Sequence, residues 1–310
     1  MKANRARLEI AGVAFDLSSI HSVSFKDPDP LYRPFIQAVT RGRGAPDIRL
    51  RLTLEPMPRL DCLEKVFDTE ESWSLRTDGN HLWLSLNPSC HPEPLWIAKF
   101  DRKVRRVLFY DRPASPKIMG EPILLDWPLC YPLDQLLLMH HLGQRDGLLA
   151  HAAGLVLGDR GFVFAGCSGA GKSTLARLLE SGRVGTVLSD ERMVLRRSRR
   201  GYDAFGTPWA GTEAIARNGK APLAALVFLK HGPANAILPI SPSDALDRLL
   251  PACSIPWYDQ DLMPRIILFC KGLVAEVPAF EFGFKPDPSA PAAFLKFLGT
   301  LRSRGAGRRP

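Results

Sequence analysis

The segment Gly166-Cys167-Ser168-Gly169-Ala170-Gly171-Lys172-Ser173-Thr174 constrains this chain more than any other. It fits G-x-x-x-x-G-K-[ST] without a gap. An apolar run, Phe162 to Ala165, precedes it, and a helical pattern from Lys172 to about Ser181 follows. Glycines let a backbone turn tightly enough for successive N–H groups to point inward, and a helix start adds a positive end. Polyphosphate is the ligand such a loop suits. ATP with Mg²⁺ is therefore expected at Gly166 to Thr174, with Lys172 on the β- and γ-phosphates and the Ser173 hydroxyl on the metal.

A second element lies about eighteen residues after Lys172, in Thr186-Val187-Leu188-Ser189-Asp190-Glu191-Arg192. An apolar strand ending in acids beside a phosphate loop is where a metal-ordering carboxylate or general base belongs. Asp190 is the first choice, as catalytic base and metal ligand, with Glu191 as a further metal ligand. The competing structural reading is a strand-end acid paired with Arg192. His151 stands just before two short apolar runs, Leu155–Leu157 and Phe162–Ala165, separated by Gly158-Asp159-Arg160-Gly161. A hairpin there would return His151 to the vicinity of the phosphates.

The remainder divides by pattern. Up to about residue 125 the chain is β-rich. Ile48, Leu50, Leu52 and Leu54 alternate with Arg49, Arg51 and Thr53, and the same period runs through Leu8–Leu17. Asp78-Gly79-Asn80 predicts a hairpin turn, and another strand is expected over Val104–Tyr110. Pro113, Pro116, Pro122, Pro128 and Pro132 mark a connection, after which Leu133 to Leu142 fall at helical spacing with Gly143 as the stop. The expected organisation is an α/β (α+β) chain: a β-rich domain over 1–130, a nucleotide-binding domain over 131–300, and a basic flexible tail over 301–310.

Composition removes several classes. At 310 residues with 45% apolar content, the chain can bury two cores, and no apolar run is long enough to cross a bilayer. The start lacks the apolar stretch of a signal peptide, which makes the expected location cytoplasmic. The six cysteines show no C-x-x-C spacing, against a zinc site or a disulfide framework. A net charge of +9 raises nucleic acid as a partner. Yet Arg302, Arg304, Arg308 and Arg309 lie in the tail, and Arg196, Arg197, Arg199 and Arg200 flank one turn. The linear sequence shows no basic stripe interleaved with aromatics, so a solvated tail and turn, assisting an acidic partner, is the preferred reading.

Taken together, His151, the hairpin, the Gly166–Thr174 loop and Ser189-Asp190-Glu191-Arg192 resemble HPr kinase/phosphorylase and its relatives, which share a nucleotide-binding core with phosphoenolpyruvate carboxykinase. The resemblance covers about residues 148 to 287, and Phe205–Trp209, Val277-Pro278 and Phe282 are similar to segments of the smaller relatives. It implies catalytic roles for Asp190, His151 and Lys172, with Asp190 taking the proton from a serine hydroxyl. It also implies a protein or peptide acceptor and a homo-oligomer. The Glu-Ile-Arg-Gly-Leu-Gly type segment of authentic HPr kinases is replaced here by Glu213 to Lys220, where Arg217 or Lys220 is either a charge-neutralising cation or solvated loop charge. Two functions follow as expectations. One is an ATP-dependent kinase acting on a serine or similar hydroxyl of a protein, peptide or small molecule. The other is a nucleotide-gated binding module of a peptide-modification or secretion assembly.

Overall fold

The computed structural model describes residues 5–38, 44–112 and 122–306, with side chains through 300. Pro113 and Pro116 of the connection lie outside the described residues, as do Met1–Asn4 and Arg308–Arg309. The chain forms two compact units, Met1–Gln144 with Pro256–Leu262, and Arg145–Ile255 with Met263–Pro310. The division thus falls after Gln144 rather than after residue 130, and the helix expected to open the second domain belongs to the first.

In the first unit, alternation makes the strands. These are β1 (Arg5–Ile10), β2 (Val13–Ser19), β3 (Val23–Phe25), β4 (Ile36–Gln37), β5 (Ile48–Thr53), β6 (Glu64–Asp68), β7 (Trp73–Thr77), β8 (His81–Leu86), β9 (Trp96–Asp101), β10 (Arg106–Tyr110) and β11 (Ile123–Leu125). Among the described residues nine of them form one sheet, ordered β4-β1-β2-β5-β10-β9-β8-β7-β6, and β11 pairs with β3 separately. β5 is parallel to both β2 and β10, while the other neighbours run antiparallel. Ile48, Leu50 and Leu52 are buried, and Arg49 and Arg51 between them are exposed, as a sheet with one buried face requires. Helix α1 (Leu133–Gly143) buries every residue but Gln135, which explains its weak amphipathicity: it has no solvent face. Its polar members are paired or desolvated. Asp134 accepts a 2.7 Å hydrogen bond from Tyr32, and burial pushes His140 down to about 4.

The second unit contains β12 (Gly147–Leu157), β13 (Arg160–Ala165), helix α2 (Lys172–Ser181), β14 (Thr186–Ser189), β15 (Arg192–Ser198), β16 (Gly201–Gly206), β17 (Lys220–His231), β18 (Ala236–Pro239), helix α3 (Pro242–Leu249), helix α4 (Leu262–Glu276), β19 (Ala279–Phe284) and helix α5 (Ala290–Ala306). The expected hairpin is present, with Ala152 opposite Ala165 and Leu157 opposite Arg160. The pairings β12–β15, β15–β16, β16–β17, β17–β13 and β13–β12 close a ring, while β19 and β18 extend the sheet beyond β17. From Phe162 to Ala165 β13 is apolar because it lies between β12 and β17 with cores on both of its faces. On one side Phe162 and Phe164 join Leu175, Leu179, Phe282 and Phe294, and on the other Val163 and Ala165 join Leu249, Ile266, Phe269 and Leu273. Helix α5 carries helical backbone to Ala306, so residues 301–306 are not the flexible tail that their charge suggested.

The aromatic packing under β13 generates the first prediction. Phe294 is fully buried, with its ring centroid 5.3 Å from those of Phe162 and Phe164 in edge-on contact. Phe294→Ala should lower unfolding free energy by about 3–5 kcal/mol in a denaturant titration. Leu295→Ala, one residue along on the exposed side, should change it by about 0.5 kcal/mol at most.

Candidate functional site

Strand β12 is shared by three neighbours, with β14 pairing along Gly154 to Val156. Residues Gly147 to His151 pair with β15, and Ala152 to Leu157 pair with β13. His151 therefore stands opposite Arg192 and one residue from the strand that feeds the Gly166–Thr174 loop. The N–H of Ala152 donates to the carbonyl of Glu191 at 2.9 Å, fixing the β14–β15 turn against the same point. Two segments about twenty residues apart in sequence are thereby brought to one place.

The loop has the backbone that its glycines predict. Gly169 and Gly171 adopt φ of +79° and +94°, where a side chain would be strained. Gly171 is required twice, because a Cβ there would lie 2.6 Å from the ring of Phe284. No side chain caps helix α2, so its first-turn N–H groups are left for a ligand. Cys167, Ser168 and Gly169 are exposed, while Gly166, Ala170, Gly171, Ser173 and Thr174 are half-buried. His231 at the end of β17 donates to the Gly169 carbonyl at 2.9 Å and steadies the outer turn.

Lys172 is 5% exposed, and its ammonium donates to the carbonyls of Gly166 and Cys167 at 3.0 and 3.1 Å. Burial holds its pKa below the usual lysine range; Arg192 adds to the shift, and Glu191 and Cys167 oppose it. The Glu191 carboxylate lies 2.8 Å from His151 Nε2. Burial also depresses the His151 pKa, assisted by the charges of Lys172 and Arg192 and opposed by Glu191. A neutral imidazole facing a carboxylate through Nε2 carries its proton there, which leaves Nδ1 as the acceptor. Lys172, His151, Glu191 and Arg192 thus form one electrostatically coupled group. The guanidinium of Arg192 is further positioned by donating to Ser254 Oγ at 3.2 Å.

The two acids point to different partners. Asp190 is fully buried, and its carboxylate accepts backbone N–H bonds from Gly211 (2.9 Å), Glu213 (2.9 Å) and Ile215 (3.3 Å). Both oxygens accept from the 211–215 loop, one of them twice, and the side chain has no solvent exposure. The structure places Asp190, expected as catalytic base and metal ligand, as the buried anchor of the 211–215 loop. Gly211 permits the approach, since a Cβ there would meet an Asp190 oxygen at 2.8 Å. The main chain of Asp190 still reaches the site: its carbonyl lies 3.5 Å from Ser173 Oγ. Among the described residues no group of three His, Cys, Asp or Glu side chains is gathered to hold a metal by itself.

Arg217 and Lys220 are also placed away from the loop's open side. Arg217 forms a two-pronged pair with Glu180, at 2.6 and 3.2 Å, and donates to the Val187 carbonyl. Lys220 is exposed at the start of β17, over the Phe205 ring. Sequence reasoning missed Arg192 as a site cation, giving it a role only in the competing reading of a strand-end ion pair, and missed His231 altogether. The start of a strand directly after the acids was the available signal for Arg192. None exists for His231, which pairing of β17 with β13 delivers from more than sixty residues away.

The loop glycines, the uncapped helix start, the buried ammonium and the neighbouring Ser173 hydroxyl fit a polyphosphate bound with a divalent cation. A family model described as SynChlorMet cassette protein ScmC matches residues 133–265, a span that includes the loop and the Asp190–Arg192 turn. Among solved structures, the HPr(Ser) kinase/phosphatase from Coxiella burnetii is similar over 51% of this chain and 93% of that chain, at 14% identity and a TM-score of 0.31. No curated protein matches the chain.

Proposed function

We propose that the chain is an ATP-dependent phosphotransferase whose acceptor is a serine or similar hydroxyl on a protein, peptide or small molecule. The observation that carries this reading is the placement of a carboxylate-oriented histidine, His151 with Glu191, beside the buried ammonium of Lys172 at the start of an uncapped helix. A site for polyphosphate alone needs the ammonium and the helix start. An imidazole held in one tautomer is the further part that moving a proton requires.

In this reading the loop amides and Lys172 hold the β- and γ-phosphates, and Arg192 adds a second positive charge. The acceptor hydroxyl oxygen forms the new bond to the γ-phosphorus as the bond to the ADP oxygen breaks. The hydroxyl proton passes to His151 Nδ1, and Glu191 stabilises the imidazolium that results. Ser173 would hold the Mg²⁺, which when bound neutralises phosphate charge. Asp190 acts at one remove: it fixes the turn that carries Glu191 and Arg192. A nucleotide-gated binding module is the second reading. It is favoured by the continuous link from Ser173 through Asp190 to the 211–215 loop, along which a ligand at Ser173 could move a surface segment.

Transfer of labelled γ-phosphate to an acceptor in host extract separates the two; nucleotide binding with no labelled acceptor supports the module. Lys172→Ala should weaken Mg·ATP by roughly 30-fold or more, read by calorimetry, since it removes a buried charge from its partners. His151→Asn should leave that affinity within a few-fold and lower turnover by about 10²–10⁴.

The pH profile gives an independent check. His151 must be neutral to accept a proton, so kcat/KM falls as pH drops through its pKa, which lies below the usual value of about 6.5. Glu191 is what holds that pKa up, so Glu191→Gln should move the acid limb to lower pH; an unmoved limb would remove the pair from the mechanism.

Asp190→Asn should act on stability instead. It replaces a charged acceptor of three backbone N–H groups by an amide with one acceptor oxygen, at a cost of about 2–3 kcal/mol, with faster hydrogen exchange over 211–215. A normally stable but inactive Asp190→Asn protein would restore Asp190 as the base.

A further inference from the structure

The sheet of the first unit buries one face, and its outward face assembles a row of cations drawn from strands scattered over the first 110 residues. Arg51 on β5 stands opposite Ser18 on one side and Leu108 on the other. Leu108 faces Lys99, Lys99 faces Trp83, and Trp83 faces Arg76. Arg5, opposite Ser18, and Lys65, opposite Arg76, continue the row to its ends. No member is an acid, and none is buried.

Two residues along the strands, Arg49 and Arg106 are direct partners. With Arg51 they place three guanidinium-bearing residues around a basin of about 520 Å³, which Lys99 and Leu108 also line. Opposed like charges weaken a sheet. Two acids stand beside the Arg49–Arg106 pair. Asp16, opposite Arg49, forms its ion pair with Arg7, and Asp101, which lines the basin, accepts the backbone N–H groups of Arg105 and Arg106. Lys65 is paired with Asp68, and Arg76 donates to the Leu63 carbonyl. Arg49, Arg51, Lys99 and Arg106 have no ion pair among the described residues.

We infer that this face docks an acidic peptide segment of a partner protein, laid across the strands. Along the row the cations Arg5, Arg51, Lys99 and Arg76 recur at every second strand, about 9–10 Å apart, which is close to one three-residue turn of a polyproline II segment, about 9 Å, in which every third side chain shares a face. Glutamate or aspartate at every third position would meet them in turn, and the Arg49–Arg51–Arg106 basin offers forked, bidentate partners to one carboxylate. A single nucleic-acid strand needs open aromatic faces for its bases. The aromatic of this row, Trp83, already carries the Lys99 ammonium 4.6 Å from its ring centroid. The inference needs neither nucleotide binding nor phosphoryl transfer.

The test is fluorescence anisotropy with the full-length protein and a short labelled peptide bearing glutamate at every third position. Binding is expected to weaken with added salt. The double variant Arg51→Glu/Lys99→Glu should lose roughly tenfold or more in affinity, and Arg51→Gln/Lys99→Gln should lose less. Arg199→Glu/Arg200→Glu, with the same change of net charge on the exposed β15–β16 turn, should bind as wild type does. No binding by the wild-type protein would overturn the proposal, as would equal losses in the two Glu variants. A single-stranded oligonucleotide of equal charge binding more tightly than the peptide would assign the face to nucleic acid instead.

Discussion

The second unit depends on one strand holding two sets of partners. Along one edge β12 pairs with β15 through His151 and with β14 from Gly154, and along its other edge it takes up β13 from Ala152 onward. The β14–β15 turn therefore falls along one edge of β12 at the point where β13 ends on the other. The loop after β13 and the turn before β15 both open there. Hydrogen bonding between backbones, rather than contact between side chains, is what sets the distance from Lys172 to the His151–Glu191 pair.

The adjacent acids show how strand-end geometry divides labour. Successive residues point to opposite sides, so of two carboxylates one turns inward and the other toward the cleft. The inward one, Asp190, has three backbone N–H groups in place of water. That exchange also orders a loop with little regular structure of its own, since residues 211–215 gain partners that no neighbouring strand supplies. Glu191, left at the rim, remains free to act on the imidazole. The same two residues would have opposite consequences with their order reversed.

In the first unit the alternation that buries Ile48, Leu50 and Leu52 necessarily turns Arg49 and Arg51 outward. Each strand obeys this rule separately, and the rule is visible in the sequence. Which outward residues become neighbours is not, because register and strand order are set by pairings such as β5 with β10, which join segments more than fifty residues apart. A scan along the chain therefore finds no basic stripe, although the sheet contains one. Helix α1 illustrates the converse: its apolar spacing announced a helix, but its burial on all sides placed it in the first unit rather than at the start of the second.

The strand–loop–helix around Gly166–Thr174 was legible because local rules govern it: glycines at left-handed positions, an apolar strand before, and a helical repeat after. The hairpin of β12 and β13 was legible for the same reason, since its turn lies in the sequence between its strands. Asp190 and Glu191 were identified as a pair, but their division of roles was not, because it rests on the 211–215 loop closing over one of them. Arg192, His231 and the outward cation row became neighbours through β-pairing alone. Sequence determined the elements whose causes are local, and tertiary structure decided which side chains meet, because hydrogen bonds between distant strands carry no mark in the residues that they bring together.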